Sequence, residues 1–384
     1  MQKPDLERLA NQFMNNAVKV KAGEKIWIEY QGPQAHDLAY ECAKKVRIAG
    51  GKAVLMNRGA EYINRNIGPM SDEEITTYGQ QQLEKMKQMK GYIRIGDDGD
   101  QEKIKLPAGK MEKYKQAVSP RNTYRVEETN WLVVTIPTEK FAASCGMDLR
   151  AFEKFYLDAC MANYGAMSEA VKPLKELMDN GKSVRILSPN QETDLTFSIE
   201  GIPAVPCIGE RNIPDGECFT APVKNSINGT IKFGPSSYDG QKFKFIKLRF
   251  KDGRVEQTEA ENSERTAMLN KMLDTDPGAR YVGEFAINFN PFIKHPTGNI
   301  LFDEKIDGGV HLALGDCYKS APNGNKSAIH WDMVHIQRED CGGGELYIDG
   351  ELIRENGIFK KESLKALNPE NLRAASKSFS GLTA

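Results

Sequence analysis

The pattern that decides the fold of the amino-terminal half opens with Lys25-Ile26-Trp27-Ile28-Glu29-Tyr30, which alternates apolar and polar residues as a β-strand does. The next stretch carries apolar residues at helical spacing on one face and ends at Gly50-Gly51. A second short apolar run, Ala53 to Met56, follows at once. A strand, a helix and a strand in this order predict a right-handed crossover between parallel strands.

Outward from this unit, strands and helices continue to alternate to about residue 190. Ser71-Asp72-Glu73-Glu74 forms a capping box that predicts the start of a helix reaching about residue 90. The same patterns predict an opening helix over 6–17, helices over 149–164 and 168–180, and strands over 92–95, 131–136 and 183–187. The predicted fold class for residues 1–190 is therefore an α/β domain with a doubly wound, mostly parallel sheet.

The second half of the chain has a different sequence pattern. Asp194 to Ile199 alternates strictly, glycine and proline become frequent, and Asp252-Gly253 predicts a β-hairpin turn. Another such turn pattern appears twice between residues 344 and 357, and one clear helix is predicted over 263–273. We therefore expect a β-rich α+β domain over residues 191–384, with a domain boundary near residue 190.

Composition narrows the class of protein. The chain has 384 residues, with 52 lysines and arginines against 53 acidic residues and a formal net charge of −1. This balance argues against a broad nucleic-acid-binding surface. No apolar run approaches the roughly 20 residues of a membrane span, and the first residues lack the apolar core of a signal peptide. We expect a cytoplasmic protein that binds neither nucleic acid nor membrane.

Several common types of site are missing from the sequence. The seven cysteines are scattered and form no Cys-x-x-Cys pair, so free thiols are favoured over zinc ribbons or redox sites. The sequence also has no G-x-S-x-G, no H-E-x-x-H, no Walker loop and no G-x-G-x-x-G after a strand. The chemistry must therefore come from other residues.

The clearest chemical signal is Ile329-His330-Trp331-Asp332-Met333. Alternate side chains of a strand share a face, so His330 and Asp332 should point the same way. An imidazole and a carboxylate side by side suit one divalent metal ion. A structural hydrogen-bonded pair is the alternative. His335 falls on the opposite face and is expected to be structural.

Three further residues sit in apolar surroundings. His311 lies in a Val-His-Leu-Ala-Leu strand, where a buried imidazole needs a metal, a carboxylate or a backbone partner. Glu217 lies in a loop of small, turn-forming residues, and Glu284 lies inside an apolar strand. A carboxylate buried in this way must be paired or bound to a cation. Tyr318, by pattern alone, would be a packing residue.

The segments around these residues resemble the thermophilic aminopeptidase family typified by aminopeptidases T and S. The order and the spacings fit: 67 residues separate the two glutamates, 27 lead on to His311, and 7 more lead to Tyr318. The resemblance extends over the whole chain and is most specific over 209–333. It implies a homodimeric two-metal exopeptidase whose metal ligands are Glu217, Glu284, His311, Tyr318, His330 and Asp332. The stretch from Tyr318 to His330 is shorter than in thermophilic members, which puts the pocket shape and the substrate preference in question.

The resemblance also implies a mechanism. Two divalent ions, zinc foremost but also cobalt, manganese or magnesium, would share a hydroxide that attacks the N-terminal bond of a peptide with a free amine. Glu217 or Glu284 would move the proton to the leaving amine. The charges fit, because two such ions bring +4, against −4 from three carboxylates and the hydroxide. Tyr318 would bind as a phenol or a phenolate.

Two other functions stay open. The same superfamily includes mononuclear iron dioxygenases that open dihydroxypyridine rings, and His311, His330 and Asp332 would suit such an iron. A non-catalytic, metal-stabilised binding protein is the third possibility. The additional Glu217, Glu284 and Tyr318 favour the two-metal hydrolase. Nearby polar residues are expected mainly at the surface, with substrate or supporting roles as the alternative: Arg211, Asn299, Asp303, Glu304 and Lys326.

Overall fold

The computed structural model describes residues 1–97 and 103–380 and divides the chain into two compact units. The first unit comprises Met1–Met161 with Gly209–Ile213, and the second comprises Ala162–Ile208 with Pro214–Ala384. Within the described residues, no helix has both the length and the apolar character to cross a membrane.

The first unit is built on a four-stranded sheet. All of its strand pairs are parallel, in the order β2-β1-β3-β4. The doubly wound parallel sheet predicted from the sequence is therefore confirmed, and its strand positions agree with the predicted ones. The strands are β1 (Lys25–Tyr30), β2 (Lys52–Asn57), β3 (Gly91–Gly96) and β4 (Asn130–Thr135).

Helices connect these strands as the sequence pattern indicates. The capping box is present, because the Ser71 hydroxyl accepts from the Glu74 amide and the Glu74 carboxylate accepts from the Ser71 amide. A long helix with Pro120 inside it was not predicted. Two π-helical turns follow the first and third helices, over Met14–Val18 and Ile63–Ile67. The helices are α1 (Lys3–Phe13), α2 (His36–Ile48), α3 (Ala60–Tyr62), α4 (Asp72–Met86), α5 (Ala108–Glu128), α6 (Glu139–Ser144) and α7 (Leu149–Cys160).

One buried charge in the first unit is fully paired. Glu29 of β1 is 5% exposed, and its carboxylate accepts from Arg121 at 2.8 Å and from Arg58 at 3.4 Å. Burial alone would raise the pKa of Glu29, but the two guanidinium groups lower it to about 2. The glutamate in the strand that opens the sheet is therefore a structural group.

The second unit begins earlier than the boundary predicted near residue 190. Its first elements are α8 (Tyr164–Ala170), α9 (Lys172–Asn180) and β5 (Ser183–Ser188). Strand β5 pairs antiparallel with both of its neighbours, so it does not extend the parallel sheet. Pro173 lies in the first turn of α9, where a missing N–H costs little, and the two helices are separate.

Fourteen further strands follow β5. The Asp252-Gly253 turn joins β12 to β13, with φ of 47° and 83°, as the hairpin pattern predicts. The strands are β6 (Thr193–Ser198), β7 (Val205–Cys207), β8 (Glu217–Thr220), β9 (Asn228–Phe233), β10 (Ser236–Tyr238), β11 (Gln241–Phe243), β12 (Ile246–Lys251), β13 (Arg254–Ala260), β14 (Val282–Asn288), β15 (Gly309–Gly315), β16 (His330–Ile336), β17 (Glu345–Ile348), β18 (Glu351–Glu355) and β19 (Ile358–Phe359).

Together with β5, these strands form an eight-stranded sheet, a five-stranded sheet and a two-stranded ribbon, all antiparallel. The larger sheet has the order β13-β12-β9-β6-β5-β17-β18-β19, and the smaller has the order β16-β15-β14-β8-β7. The helices are α10 (Ser263–Leu273), α11 (Ile300–Asp303) and α12 (Pro369–Ser380), with 3-10 turns at Pro189–Gln191, Glu339–Cys341 and Glu362–Leu367. Every residue of β14 and β15 is buried, so the five-stranded sheet lies at the centre of this unit.

Candidate metal centre

The five-stranded sheet carries five of the six predicted site residues. Glu217 begins β8, Glu284 lies in β14, His311 lies in β15, and His330 and Asp332 lie in β16. Four strands from distant parts of the sequence therefore supply side chains to one place.

The register of the strands puts these side chains on one face of the sheet. Ala313 of β15 lies opposite both Glu284 and Asp332, and Gly315 lies opposite His330. Since residues across a ladder share a face, the carboxylates flank a strand whose own residues there are alanine and glycine. The small residues leave space above the sheet between the polar groups.

Four side chains meet closely above Ala313. Nε2 of His330 lies 3.1 Å from Glu284 Oε2 and 3.4 Å from Asp332 Oδ1. Nε2 of His311 lies 3.5 Å from Glu284 Oε1 and 3.9 Å from Asp332 Oδ1. Two imidazole nitrogens and two carboxylates thus point at a common position.

The outer nitrogens of both imidazoles are held by oxygen acceptors. Nδ1 of His330 donates to the Asp316 carbonyl at 2.8 Å. Nδ1 of His311 lies 3.1 Å from both the Asn288 side-chain oxygen and the Glu304 carbonyl. These contacts fix the ring orientations and direct each Nε2 at the carboxylates, which is the arrangement of metal-binding histidines.

Glu217 lies on the other side of His311, next to a lysine. Its Oε2 is 3.7 Å from His311 Nδ1, and its Oε1 accepts from the Lys305 ammonium at 2.6 Å. The same ammonium lies 2.8 Å from Glu304 Oε1 and 3.6 Å from Asp215 Oδ1. The Lys305 side chain is only 1% exposed, so this is an ion-paired group inside the protein.

Tyr318 lies at the edge of the cluster. Its ring centroid is 4.9 Å from that of His330 and 5.4 Å from that of Phe219, and nearly half of the residue is exposed. Loss of hydration at the hydroxyl, together with the Glu284 and Asp332 carboxylates, raises the pKa of Tyr318 well above its usual value.

The stretch between Tyr318 and His330 is tied to neighbouring backbone carbonyls by two asparagines. The Asn323 side-chain amide donates to the carbonyls of Pro222 and Val282, both at 2.8 Å. The buried Asn325 amide donates to the carbonyls of Gly278 at 2.9 Å and Gly315 at 2.6 Å. These bonds give the short segment a defined path beside the site.

The carboxylates create a strong preference for positive charge. Burial lowers the pKa of His311 and His330, but the surrounding carboxylates outweigh it and raise these pKa values to about 9 and about 12. Burial raises the pKa of Asp332, yet the two imidazoles lower it to about 2. The site therefore favours bound cations.

Glu217 and Lys305 respond differently. Burial raises the pKa of Glu217 to about 7, although Lys305 and His311 partly offset it. Burial lowers the pKa of Lys305, but Glu217, Glu304 and Asp215 raise it well above its usual value. The lysine is thus a permanent cation beside Glu217.

The donors fit a divalent metal ion. Ligand atoms of Glu284, His330 and Asp332 all lie within 4.8 Å of one another. Nε2 of His330 and Oε2 of Glu217 are buried without a hydrogen bond of normal geometry. Orphaned buried polar atoms in a cluster of nitrogen and oxygen donors are what a metal site requires.

Comparison with known proteins assigns the family. The family described as thermophilic metalloprotease (M29) matches residues 2–359. The chain belongs to the M29 family. The resemblance to thermophilic aminopeptidases noted in the sequence is therefore confirmed, and the match covers both units.

Among the curated relatives, Aminopeptidase 2 of Geobacillus stearothermophilus is 28% identical over 60% of this chain and 63% of its own length. Aminopeptidase T of Thermus aquaticus is 33% identical over 37% of this chain and 36% of its own length. The chain thus spans less than two thirds of the length of these two relatives. Aminopeptidase PepS of Streptococcus thermophilus is 24% identical over 91% of this chain and 94% of its own length.

Two solved structures share the fold of this M29 chain. AmpT from Thermus thermophilus has a TM-score of 0.76 at 18% identity, covering 94% of this chain and 100% of its own. A 2,5-dihydroxypyridine dioxygenase from Pseudomonas putida has a TM-score of 0.64 at 12% identity, covering 95% and 99%. The fold alone therefore does not separate a hydrolase from a dioxygenase.

Sequence reasoning missed Lys305 and Asp215 next to Glu217, and it favoured a surface position for Glu304 over a supporting role. Lys305 follows Asp303 and Glu304, and such a run of charges is typical of a solvated surface. Lys305 is buried instead, and Glu304 contributes both its carbonyl and its carboxylate to the site. Asp215, two residues before Glu217, was the available signal, because a second acid in the same tight loop indicates a shared cation.

The remaining polar residues lie outside the centre. Asp303 accepts from the Thr297 and Gly298 amides, and Asn299 caps α11. Lys326 is exposed, and Arg211 belongs to the first unit, where it stacks on Trp131. None of them contacts the six predicted ligands within the described contacts.

Proposed function

We propose that this protein is a metal-dependent aminopeptidase that hydrolyses the N-terminal peptide bond of peptides with a dinuclear metal centre. The observation that carries the proposal is the convergence of Glu284, His311, His330 and Asp332 above one buried sheet. The names of the curated relatives, all aminopeptidases, support the reaction class.

Each residue has a distinct part in the proposed centre. His330 and Asp332 hold one side, Glu284 directs its two oxygens at the two imidazoles, and His311 lies between Glu284 and Glu217. Tyr318 lies at the edge of the proposed centre, next to His330. Bound divalent ions would supply Lewis-acid chemistry, namely polarisation of the scissile carbonyl and a pKa lowered toward about 7 for the attacking water.

Proton transfer falls to a glutamate. Glu217 and Glu284 are both buried carboxylates of the cluster, and either would take a proton from the attacking water and deliver it to the leaving amine. The free α-amine of the substrate would dock against the carboxylate-rich cluster, because a cation is favoured there. Peptides with an unblocked N-terminus are therefore the proposed substrates.

The decisive experiment replaces the ligands. His330→Ala and Asp332→Ala should each lower the hydrolysis of aminoacyl-p-nitroanilides by at least about a thousandfold, since each removes a ligand of the proposed centre. Metal content, measured on the same samples, should fall in parallel. His295→Ala changes an exposed histidine and Asp158→Ala a half-buried aspartate that pairs with Lys154 outside the cluster, so both should keep wild-type rates.

Circular dichroism of all four variants shows whether the fold is retained. Wild-type rates in both ligand variants would refute the assignment. Metal analysis of the wild type separates the alternatives: about two ions per chain supports the hydrolase, one iron with dioxygen consumption supports a ring-cleaving dioxygenase, and metal without turnover supports a binding protein. Zinc as the native ion, a homodimer and a cytoplasmic location stay predictions that metal analysis, light scattering and cell fractionation test.

A further inference from the structure

Lys305 is a buried charge that the proposed reaction does not use. Its ammonium is bonded to Glu217 Oε1 at 2.6 Å and to Glu304 Oε1 at 2.8 Å, and the side chain is 1% exposed. A lysine this deep is stable as a cation only where carboxylates surround it. The ammonium is therefore a fixed positive charge inside the cluster.

This charge is at one end of the cluster only. We call Glu217 with Lys305 the lysine end, and Glu284, His330 and Asp332 the histidine end. In the described part of the chain, no lysine or arginine forms an ion pair with Glu284 or Asp332, whose ion-pair partners are the imidazoles. The two ends thus offer different charge to an incoming metal ion.

Lys305 also changes which carboxylate oxygens are available to bind a metal ion. Because Oε1 of Glu217 accepts from Lys305, only Oε2 is left without a hydrogen bond. At the histidine end, both oxygens of Glu284 face imidazole nitrogens. Within the described contacts, the histidine end therefore commits no donor atom to a lysine or arginine, whereas the lysine end commits Oε1 of Glu217.

Electrostatics adds to this difference. A divalent ion bound at Glu217 would lie a few ångströms from the ammonium, and the two cations would repel. Even at an effective dielectric constant of about 20, repulsion at that distance changes a binding constant by about tenfold or more. The described ion pairs of Lys305 are with Asp215, Glu217 and Glu304, so its repulsion should act less on an ion held by Glu284, His330 and Asp332.

We propose that Lys305 makes the two metal positions unequal, so that one ion binds first and tightly at the histidine end and a second binds weakly at the lysine end. This inference rests on the proposed function, since it takes a centre for two ions as given. Lys305 acts here as a residue that sets metal affinity and positions Glu217, and it need not touch the substrate.

Titration with Co²⁺ alone tests the inference. The protein is stripped with a chelator, dialysed against increasing Co²⁺, and analysed for bound metal and for visible absorption. The wild type should bind two ions with dissociation constants at least about tenfold apart. Lys305→Met should reduce that ratio by about tenfold or more, because the second ion no longer meets a fixed cation.

Two controls accompany the titration. Lys305→Arg keeps the charge and should keep the unequal binding, whereas Lys232→Met removes an ammonium that pairs with Glu192 outside the cluster and should bind Co²⁺ as the wild type does. If Lys305→Met does not fold, the double variant Lys305→Met/Glu304→Gln, which also removes a neighbouring carboxylate, repeats the comparison.

Equal affinities for two ions in the wild type, which need no variant to measure, would overturn the inference. So would an unchanged ratio in a folded Lys305→Met protein. Unequal Co²⁺ binding without hydrolysis of any aminoacyl-anilide refutes the proposed function and leaves the inference standing, so the two failures are distinguishable.

Discussion

His335 shows how one imidazole in the same strand as two proposed metal ligands can be purely structural. It lies on the face of β16 opposite to His330 and Asp332, as the alternation in the sequence predicts. Its Nδ1 donates to the Lys232 carbonyl at 2.8 Å, and its Nε2 accepts from the Ser188 hydroxyl at 2.9 Å. The neutral ring satisfies both bonds, and burial, which disfavours the charged ring, lowers the pKa of His335 to about 4.

This shift predicts acid sensitivity. The unfolded imidazole has a pKa of about 6.5, so the unfolded chain takes up a proton between pH 6.5 and 4 while the folded chain does not. The stabilising contribution is complete above pH 6.5 and is lost as the pH falls, by about 3 kcal/mol at pH 4. In urea unfolding of metal-stripped protein, His335→Gln should show a smaller loss of stability over that range.

The exposed His295 provides the matched control, because His295→Gln should keep the pH dependence of the wild type. The same dependence in His335→Gln and in the wild type would contradict the prediction.

At the residue scale, a site residue can be predicted from the sequence when its type differs from that of its neighbours. A site residue that resembles its neighbours cannot be predicted in this way. Glu284 stood out because a carboxylate interrupts an apolar strand, and the structure places it between two imidazoles. Lys305 did not, because its neighbours Asp303 and Glu304 are charged. Whether a run of charged residues is buried depends on distant segments that pack over it. The local sequence pattern therefore does not predict this burial.

Strand β15 is the element that holds the centre together, since it pairs with both β14 and β16. Its last residue, Gly315, has φ of +106°, and a Cβ there would lie 2.1 Å from the Ile329 carbonyl oxygen. Ile329 immediately precedes His330, so a side chain at residue 315 would push on the backbone that carries a proposed ligand.

We therefore expect Gly315→Ala to destabilise the second unit and to weaken metal binding. The clash adds to the strain of positive φ, which alone costs about 1–3 kcal/mol. Gly201→Ala is the control, because Gly201 also has positive φ, +77°, but no atom lies within 4 Å of its would-be Cβ. Thermal unfolding and Co²⁺ titration measure both effects, and equal losses in the two variants would contradict the role of the close contact.

At the element scale, local sequence patterns predicted the positions of helices and strands well, but they did not predict which strands pair with each other. The strand at Lys25–Tyr30 and the helix at Ser263–Leu273 have the predicted bounds, because alternation and helical spacing are local properties. Strand β5 was assigned to the wrong sheet, since its partners β6 and β17 are set by long-range packing. Helix α5 was missed because Pro120 and its many polar residues weaken its apolar pattern.

In the whole molecule, the proposed ligands all belong to the second unit. Five carboxylates there, those of Asp215, Glu217, Glu284, Glu304 and Asp332, surround one lysine and two histidines. Without metal, the lysine and the two protonated imidazoles balance only part of this negative charge, whereas the buried charge of the first unit, Glu29, is already paired.

Metal removal should therefore affect the units differently. At a metal concentration of 100 times the dissociation constant, binding adds about 2.7 kcal/mol to the free energy of unfolding. Hydrogen exchange of chelated and metal-loaded protein should differ most in peptides from β8, β14, β15 and β16. Equal changes of hydrogen exchange in peptides from β1 to β4 would contradict the prediction. They would show that the excess negative charge does not destabilise the second unit selectively.

The short segment after Tyr318 has a consequence for altering selectivity. Four hydrogen bonds from the side-chain amides of Asn323 and Asn325 fasten it to backbone carbonyls, and each contributes about 1 kcal/mol. A longer loop inserted in its place would have to keep both asparagines and their hydrogen bonds for the segment to stay rigid. Substrate preference would then change most easily through substitutions of side chains in this segment, while its backbone path stays the same. This should hold for natural variants and for engineered ones.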